Sequence, residues 1–330
     1  MGRFIVCNVL KNKKICVIGA GRWGQNHIRT LHEMGNLAGI VENDPNRLSE
    51  SLLQYNVVKG YQNVKDSLRD NYDGYVIATP AQTHYEIGSQ LLKQKKNVLI
   101  EKPIALSTID ANRLIWLSQV FECKLMVGHL LLFHPAIKKI KELIDQGKIG
   151  KLLYLYSTRL NMGTVRTEEN VFYSFAPHDI SVINYLIGTT PISMSAEGGC
   201  FLQQNIHDVV MASLTYPNNV KAHIFVSWLY PFLERRLIVV GDKGTLVFED
   251  SNAEQNIVFY NKSIDWENAS PIVRVADTEH IDYEKSAPLK NELEYFVKNL
   301  DADITVADGQ SGYEVVKILE EVSKQLNLKC

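Results

Sequence analysis

At 330 residues, with 45% hydrophobic and 22% charged residues, the chain is long enough for two domains and has the composition of an ordinary globular protein. A formal charge of −2 without a long basic block excludes the electrostatic footprint of a nucleic-acid or anionic-membrane binder, so a small-molecule partner is expected. Five scattered cysteines, Cys7, Cys16, Cys123, Cys200 and Cys330, include no C-x-x-C and read as reduced thiols of a cytoplasmic protein.

Residues 1–11 read as an extension: the apolar stretch 4–10, interrupted by Asn8, is too short to span a membrane and lacks a small-residue cleavage site. A first domain is expected over residues 12–129. Residues 14–18 form a buried-strand pattern running into Gly19-Ala20-Gly21-Arg22-Trp23-Gly24, a G-x-G-x-x-G followed by a helix over 25–34 and a strand over 37–41. Glycines in that context permit the tight turn and let backbone approach a pyrophosphate at the helix N-terminus. The second strand ends at Glu42, at the distance where a carboxylate bonds the adenosine ribose, which favours NAD over NADP; Arg47 is the nearby cation that weighs against that preference.

A helix follows near 45–55, then a strand over 75–78 ending in Thr79-Pro80, which closes another strand-to-helix turn over the cofactor site. His84 opens the next helix, either capping it or touching the cofactor. The strand over 98–100 leads into Glu101-Lys102-Pro103, then come a helix over 108–120 and a strand over 124–127. This alternation predicts a doubly wound parallel sheet. Ligands bind outside the carboxyl ends of such strands, so Lys102 is a catalytic candidate; taken by itself it reads as a solvated strand end before a turn proline.

After a helix from Pro135 to Gly147 the grammar changes. Strands are expected over 151–160, 192–201, 208–216, 221–229, 234–240 and 245–249, joined by short turns, which predicts an antiparallel meander in a domain spanning 130–288. An uncovered sheet face carrying Phe225, Trp228 and Tyr230 predicts a homo-oligomer. Helices over 289–300 and 312–326 end the chain, within a closing segment 289–330.

Two features of this half suggest chemistry. Pro177 fits the first turn of a helix, which places His178 where the helix dipole disfavours imidazolium and leaves a neutral base; the alternative is a histidine satisfied by helix-end bonds. The irregular stretch 159–173 carries Arg159, Asn161, Arg166 and Asn170, suited to an anionic substrate or else a solvated loop. The nine histidines show no metal-ligand spacing, and no serine sits in a G-x-S-x-G elbow.

Taken together, the Gly19 to Gly24 fingerprint, Ala78-Thr79-Pro80 with His84, Glu101-Lys102-Pro103 and His178-Asp179 resemble the Gfo/Idh/MocA oxidoreductases across essentially everything after residue 12. The resemblance implies a Rossmann domain plus an α+β domain with an open-faced, mainly antiparallel sheet, and hydride transfer between a nicotinamide and a sugar or polyol carbon. It implies Lys102 and His178 as the catalytic groups at the reacting hydroxyl, with Gly19, Gly21, Arg22, Trp23, Gly24, Glu42, Thr79, Pro80, His84 and Glu101 at NAD. Arg159, Asn161, Arg166, Ser174 and Asp179 join Lys102 and His178 at the substrate. Segments 127–135 and 166–170 resemble the branch that oxidises the C3 hydroxyl of UDP-N-acetylglucosamine ahead of amination for lipid A or other surface glycans. Rival expectations are a family member acting on the uronate, a keto-sugar nucleotide or inositol, and a non-catalytic NAD-binding sensor. One departure stands out: Ser174 occupies the position, four before the histidine, where many members have aspartate.

Overall fold

The computed structural model describes residues 13–327 apart from 57, 253 and 255, so the extension expected over residues 1–11 lies outside the described residues. Two compact units emerge among the described residues, one of residues 13–133 and 286–317, the other of residues 134–285 and 318–327.

In the first unit the elements run β1 (Ile15–Ile18), α1 (Gly24–Met34), β2 (Leu37–Val41), α2 (Pro45–Gln54), β3 (Lys59–Tyr61), α3 (Val64–Ser67), β4 (Gly74–Ile77), α4 (His84–Lys93), β5 (Asn97–Glu101), α5 (Thr108–Val120) and β6 (Leu125–Gly128). The strands form one parallel sheet in the order β3-β2-β1-β4-β5-β6. Continuous apolar runs fit strands covered on both faces, and β1, β4 and β6 are buried throughout. The strand order reverses between β1 and β4, which puts the ligand crevice beyond their carboxyl ends. Strand β3, three residues with two exposed, and the four-residue helix α3 were absent from the sequence reading.

The second unit contains α6 (Pro135–Asp145), β7 (Leu152–Leu160), α7 (Val171–Ile187), β8 (Ser193–Gly199), β9 (Val209–Thr215), β10 (Lys221–Ser227), β11 (Glu234–Gly241), β12 (Thr245–Glu249), β13 (Ile257–Glu267) and β14 (Ser270–Ile281). The closing helices α8 (Pro288–Lys298) and α9 (Gly309–Asn327) follow; α8 belongs to the first unit, and α9 is divided between the two after Lys317.

The eight-stranded sheet has the order β14-β13-β12-β11-β7-β10-β9-β8 and is not the simple meander expected: β7 is inserted between β11 and β10 and runs parallel to β10. Helix α7 packs against β7, β9 and β10. Alternation in β10 sends Ala222, Ile224 and Val226 into the core and leaves His223 exposed and Phe225 half-buried on the other face. Trp228, expected on that open face, is instead fully buried, its ring edge-on to Phe175 of α7 at 6.5 Å between centroids. The hairpin β13–β14 went unpredicted; its turn residues Asn268 and Ala269 both have positive φ without the glycine that usually marks such a turn.

Two glycines of the first loop differ in what they permit. A Cβ on Gly24 would lie 1.9 Å from the Gly19 carbonyl oxygen, whereas one on Gly21 would meet nothing within 4 Å. Gly24→Ala should therefore cost at least about 1–3 kcal/mol, the usual range for overpacking, because backbone cannot move aside like a side chain. Gly21→Ala should leave the urea midpoint unchanged, and comparison of the two unfolding curves checks both.

Candidate active site

The site of the first unit is assembled from three strand ends. Beyond β1, Gly19 adopts φ 94° and closes the turn; a Cβ there would lie 2.9 Å from the Ala78 carbonyl oxygen, so the loop after β1 lies directly against the chain leaving β4. Gly21 presents bare backbone to open space, and Arg22 and Trp23 are exposed. Bare backbone at the N-terminus of α1 is the cradle that a pyrophosphate requires.

Glu42, immediately after β2, is buried. Its carboxylate accepts from the Ala20 amide at 2.8 Å, the Asp44 amide at 3.0 Å and the Arg47 guanidinium at 3.0 Å. Burial works to raise its pKa, but the Arg47 bond and the two amides together hold the carboxyl below the ordinary range. The Glu42 anion is thus tied to the loop after β1. Arg47 is occupied with that same carboxylate.

After β5, the buried Glu101 carboxylate accepts from Trp23 Nε1 at 2.5 Å, lies 2.7 Å from His27 Nε2 and takes the Lys102 amide at 3.1 Å. Burial opposes its charge, yet the His27 contact, the Trp23 bond and the neighbouring Lys102 hold its pKa down. A loop residue, a residue of α1 and the lysine turn are therefore wired to one anion. A Cβ on Gly128 would come within 2.9 Å of Glu101 Oε2, so the absence of a side chain there leaves room for the carboxylate. Lys102 is half-buried at the mouth of this arrangement, joined to Pro103 by a cis peptide.

His84 is almost fully buried, with Nδ1 2.8 Å from the Pro103 carbonyl and Nε2 2.9 Å from the Thr79 carbonyl. Both ring nitrogens are taken by backbone, so the residue ties the turn after β4 to the turn after β5. Burial holds its pKa below the ordinary value even though both carbonyls act to raise it. Thr79 is further fixed by a bond from the Thr83 hydroxyl at 2.7 Å.

In the second unit, His178 stands past the first turn of α7, which begins at Val171 with Asn170 as its cap, Oδ1 accepting from the Tyr173 amide at 3.0 Å. Pro177 is inside the helix, and the argument for a neutral base from the helix N-terminus does not apply to His178. Eleven residues of α7 are buried, and their packing carries the cost of an internal proline. His178 is half-buried and Ser174 is buried.

Arg159 and Asp179, expected at the substrate, pair with each other. Arg159 Nε donates to Asp179 Oδ2 at 2.9 Å and Nη2 to Oδ1 at 3.2 Å, while the Ser157 hydroxyl donates to Oδ1 at 2.7 Å. This bridge fastens α7 to β7 and uses the Asp179 carboxylate on the sheet, so Asp179 does not stand in for the aspartate that Ser174 replaces. Asn161 is half-buried and Arg166 exposed in the stretch 161–170, where the Arg166 carbonyl accepts from Gln203 at 2.6 Å. Asp179→Ala leaves a guanidinium little exposed and unpaired and should destabilise the fold by about 3–5 kcal/mol. Ser157→Ala should cost roughly 1 kcal/mol, and chemical denaturation distinguishes the two.

Sequence reasoning overlooked His27, His129 and Glu292, all fully buried in the first unit. His27 follows the last fingerprint glycine by three positions, and Glu292 interrupts the apolar stripe Leu293, Phe296 and Val297 of α8.

Residues 13–129 match the NAD-binding Rossmann domain of the Gfo/Idh/MocA oxidoreductases, and residues 137–247 match a C-terminal domain of the same family. UDP-N-acetylglucosamine 3-dehydrogenase of Acidithiobacillus ferrooxidans is 26% identical over 302 residues, covering 91% of this chain and 93% of that protein. Its solved structure superposes with a TM-score of 0.84 at 24% identity, over 96% of this chain and 97% of the other. Myo-inositol 2-dehydrogenase of Thermotoga maritima is 27% identical over 267 residues, 76% of this chain and 79% of the relative. The WlbA dehydrogenase of Bordetella pertussis, solved with NADH and UDP-GlcNAcA, aligns over 96% of this chain and 97% of its own, with a TM-score of 0.78 at 18% identity. With both domains matched and the Gly19 to Gly24 cradle and Glu42 fitting the dinucleotide, the chain belongs to the Gfo/Idh/MocA family and is an oxidoreductase that uses NAD.

Proposed function

We propose that the protein oxidises the C3 hydroxyl of a UDP-linked N-acetyl sugar, UDP-N-acetylglucosamine foremost, to the 3-keto sugar that an aminotransferase consumes in making diamino sugars for lipid A or another surface glycan. The observation that carries the oxidoreductase site is the bond from Trp23 to Glu101, because it ties the dinucleotide loop to the turn bearing Lys102. A lysine at that strand end faces the crevice where parallel sheets hold their ligands. The choice of sugar is supported by the match of 91% of this chain to a UDP-N-acetylglucosamine 3-dehydrogenase.

Bound NAD+ supplies the hydride acceptor. Gly19, Gly21 and Gly24 give the pyrophosphate its turn, and Glu42 takes the adenosine ribose hydroxyls. Lys102 positions and polarises the reacting oxygen, and His178 accepts its proton as hydride leaves the carbon. Asn161 and Arg166 are the remaining candidates for the anionic part of the substrate, since guanidinium suits phosphate. The protein works in the cytoplasm, where UDP-sugars are made, and self-associates through the sheet face bearing Tyr156, Met211, His223 and Phe225, which line a groove of about 380 Å³.

The similarity to myo-inositol 2-dehydrogenase favours a second reading, a free polyol as substrate. Appearance of the NADH absorbance on mixing protein and NAD+ with UDP-N-acetylglucosamine, its uronate or myo-inositol decides between them. Signal with the first alone is expected, and signal with inositol alone contradicts the nucleotide-sugar reading.

Lys102→Met should lower turnover about 10²- to 10⁴-fold, the usual worth of acid–base assistance, with the NAD+ dissociation constant little changed. Loss of NAD+ binding would make Lys102 a cofactor residue. Preference for NAD+ over NADP+ should be at least about tenfold, since a 2′-phosphate set against the Glu42 anion meets like-charge repulsion of several kcal/mol; kcat/KM with each coenzyme measures it.

A further inference from the structure

Glu101 has two ionisable neighbours besides His27 that no hydrogen bond accounts for. Glu292 is fully buried and, among the described residues, neither carboxyl oxygen has a hydrogen-bond partner; His129 is fully buried and neither ring nitrogen has one. Glu292 is on α8, which packs against α1, the helix carrying His27, and against the 3-10 turn Leu130–Phe133, which His129 immediately precedes. His129 in turn follows Gly128, the register partner of Glu101. The fold thus gathers His27 from α1, His129 from the chain after β6 and Glu292 from α8 about the Glu101 carboxylate.

Two carboxylates with one anion's worth of donors between them do not both ionise. Trp23, His27 and the Lys102 amide all serve Glu101, so the proton resides on Glu292. Burial first, and the Glu101 charge second, push the Glu292 carboxyl well above the ordinary range. Burial draws His129 down to about 4, leaving a neutral ring.

We propose that Glu292 is a positioning residue for the Lys102 turn: its buried carboxyl keeps a proton, which leaves Glu101 as the single anion that holds Trp23, His27 and the Lys102 amide in place. Ionisation of Glu292 would set a second negative charge against Glu101 and loosen the tie between the dinucleotide loop and the lysine. The kinetic consequence rests on the role proposed above for Lys102; the protonation state does not.

The infrared spectrum of the full chain in heavy water at neutral pH should show the carbonyl band of a protonated carboxylic acid, lost in Glu292→Gln and retained in Lys102→Met. Absence of the band from the wild type, or its persistence undiminished in Glu292→Gln, overturns the proposal whether or not any sugar is turned over. Stability gives an independent reading. The folded protein keeps a proton that the unfolded chain releases above its ordinary carboxyl pKa, so wild-type stability declines as pH rises from that value toward the raised folded one. The midpoint advantage of Glu292→Gln over wild type should therefore grow between about pH 5 and pH 8, and a constant difference contradicts it. In turnover, Glu292→Gln should remain within about threefold of wild type and Glu292→Leu should fall about 10- to 100-fold at unchanged NAD+ affinity, the scale of a small misplacement of a reacting group. Equal loss in both variants, or none in Glu292→Leu, overturns the positioning role.

Discussion

One buried anion organises the first unit. Glu101 ends β5 with its carboxylate turned inward, and the three donors that meet it come from the dinucleotide loop, from α1 and from the turn of Lys102 itself. A hydrogen bond to a charged group is worth about 1.5–3 kcal/mol, and an ion left buried without such bonds costs more than any one of them returns. The arrangement is therefore cooperative: the loop, the helix and the lysine turn are each held only while the others are. His84 adds a second tie, between the backbone after β4 and the backbone after β5. Strand ends that are far apart in sequence thus behave as a single surface, which is the preorganisation a hydride-transfer site needs.

The same logic separates binding from support among the polar residues of the second unit. Arg159 and Asp179 have the chemistry of substrate ligands, yet each satisfies the other across the contact of α7 with β7. His178, beside Asp179 in the chain, is turned about 100° from it around the axis of α7, as successive helical residues are. Buried charges are first of all a structural debt, and only the polar groups that the fold does not consume are available for chemistry.

Much of the first unit was legible in the sequence because its signals are local: glycines at fixed offsets, apolar runs of strand length, and an acid one residue beyond the second strand. Strand β3 was not, since three residues at an edge carry no periodicity. In the second unit strands β7 to β12 were read but their pairing was not, because nothing local says that β7 must insert beside β10, and the hairpin β13–β14 was missed outright. The start of α7 was misplaced when Pro177 was taken for a first-turn residue; the true signal was the Asn170 side chain. Trp228 was grouped with Phe225 and Tyr230 on an open face, and the chain has already left the strand at that point. At the site, Glu101 and Lys102 were visible as a motif, whereas His27, His129 and Glu292 meet only through folding. Glu292 nevertheless left a trace, a carboxylate in the stripe where helix α8 buries Leu293 and Phe296.

The central claim, that a single carboxylate couples the dinucleotide loop to the lysine turn, is tested most directly by titrating NAD+ into Glu101→Gln while following turnover of the same sample. Loss of the charge should weaken NAD+ binding and turnover together, each by about tenfold or more, because charge-assisted bonds to both elements are lost at once. Wild-type NAD+ affinity with wild-type turnover in that variant would contradict it.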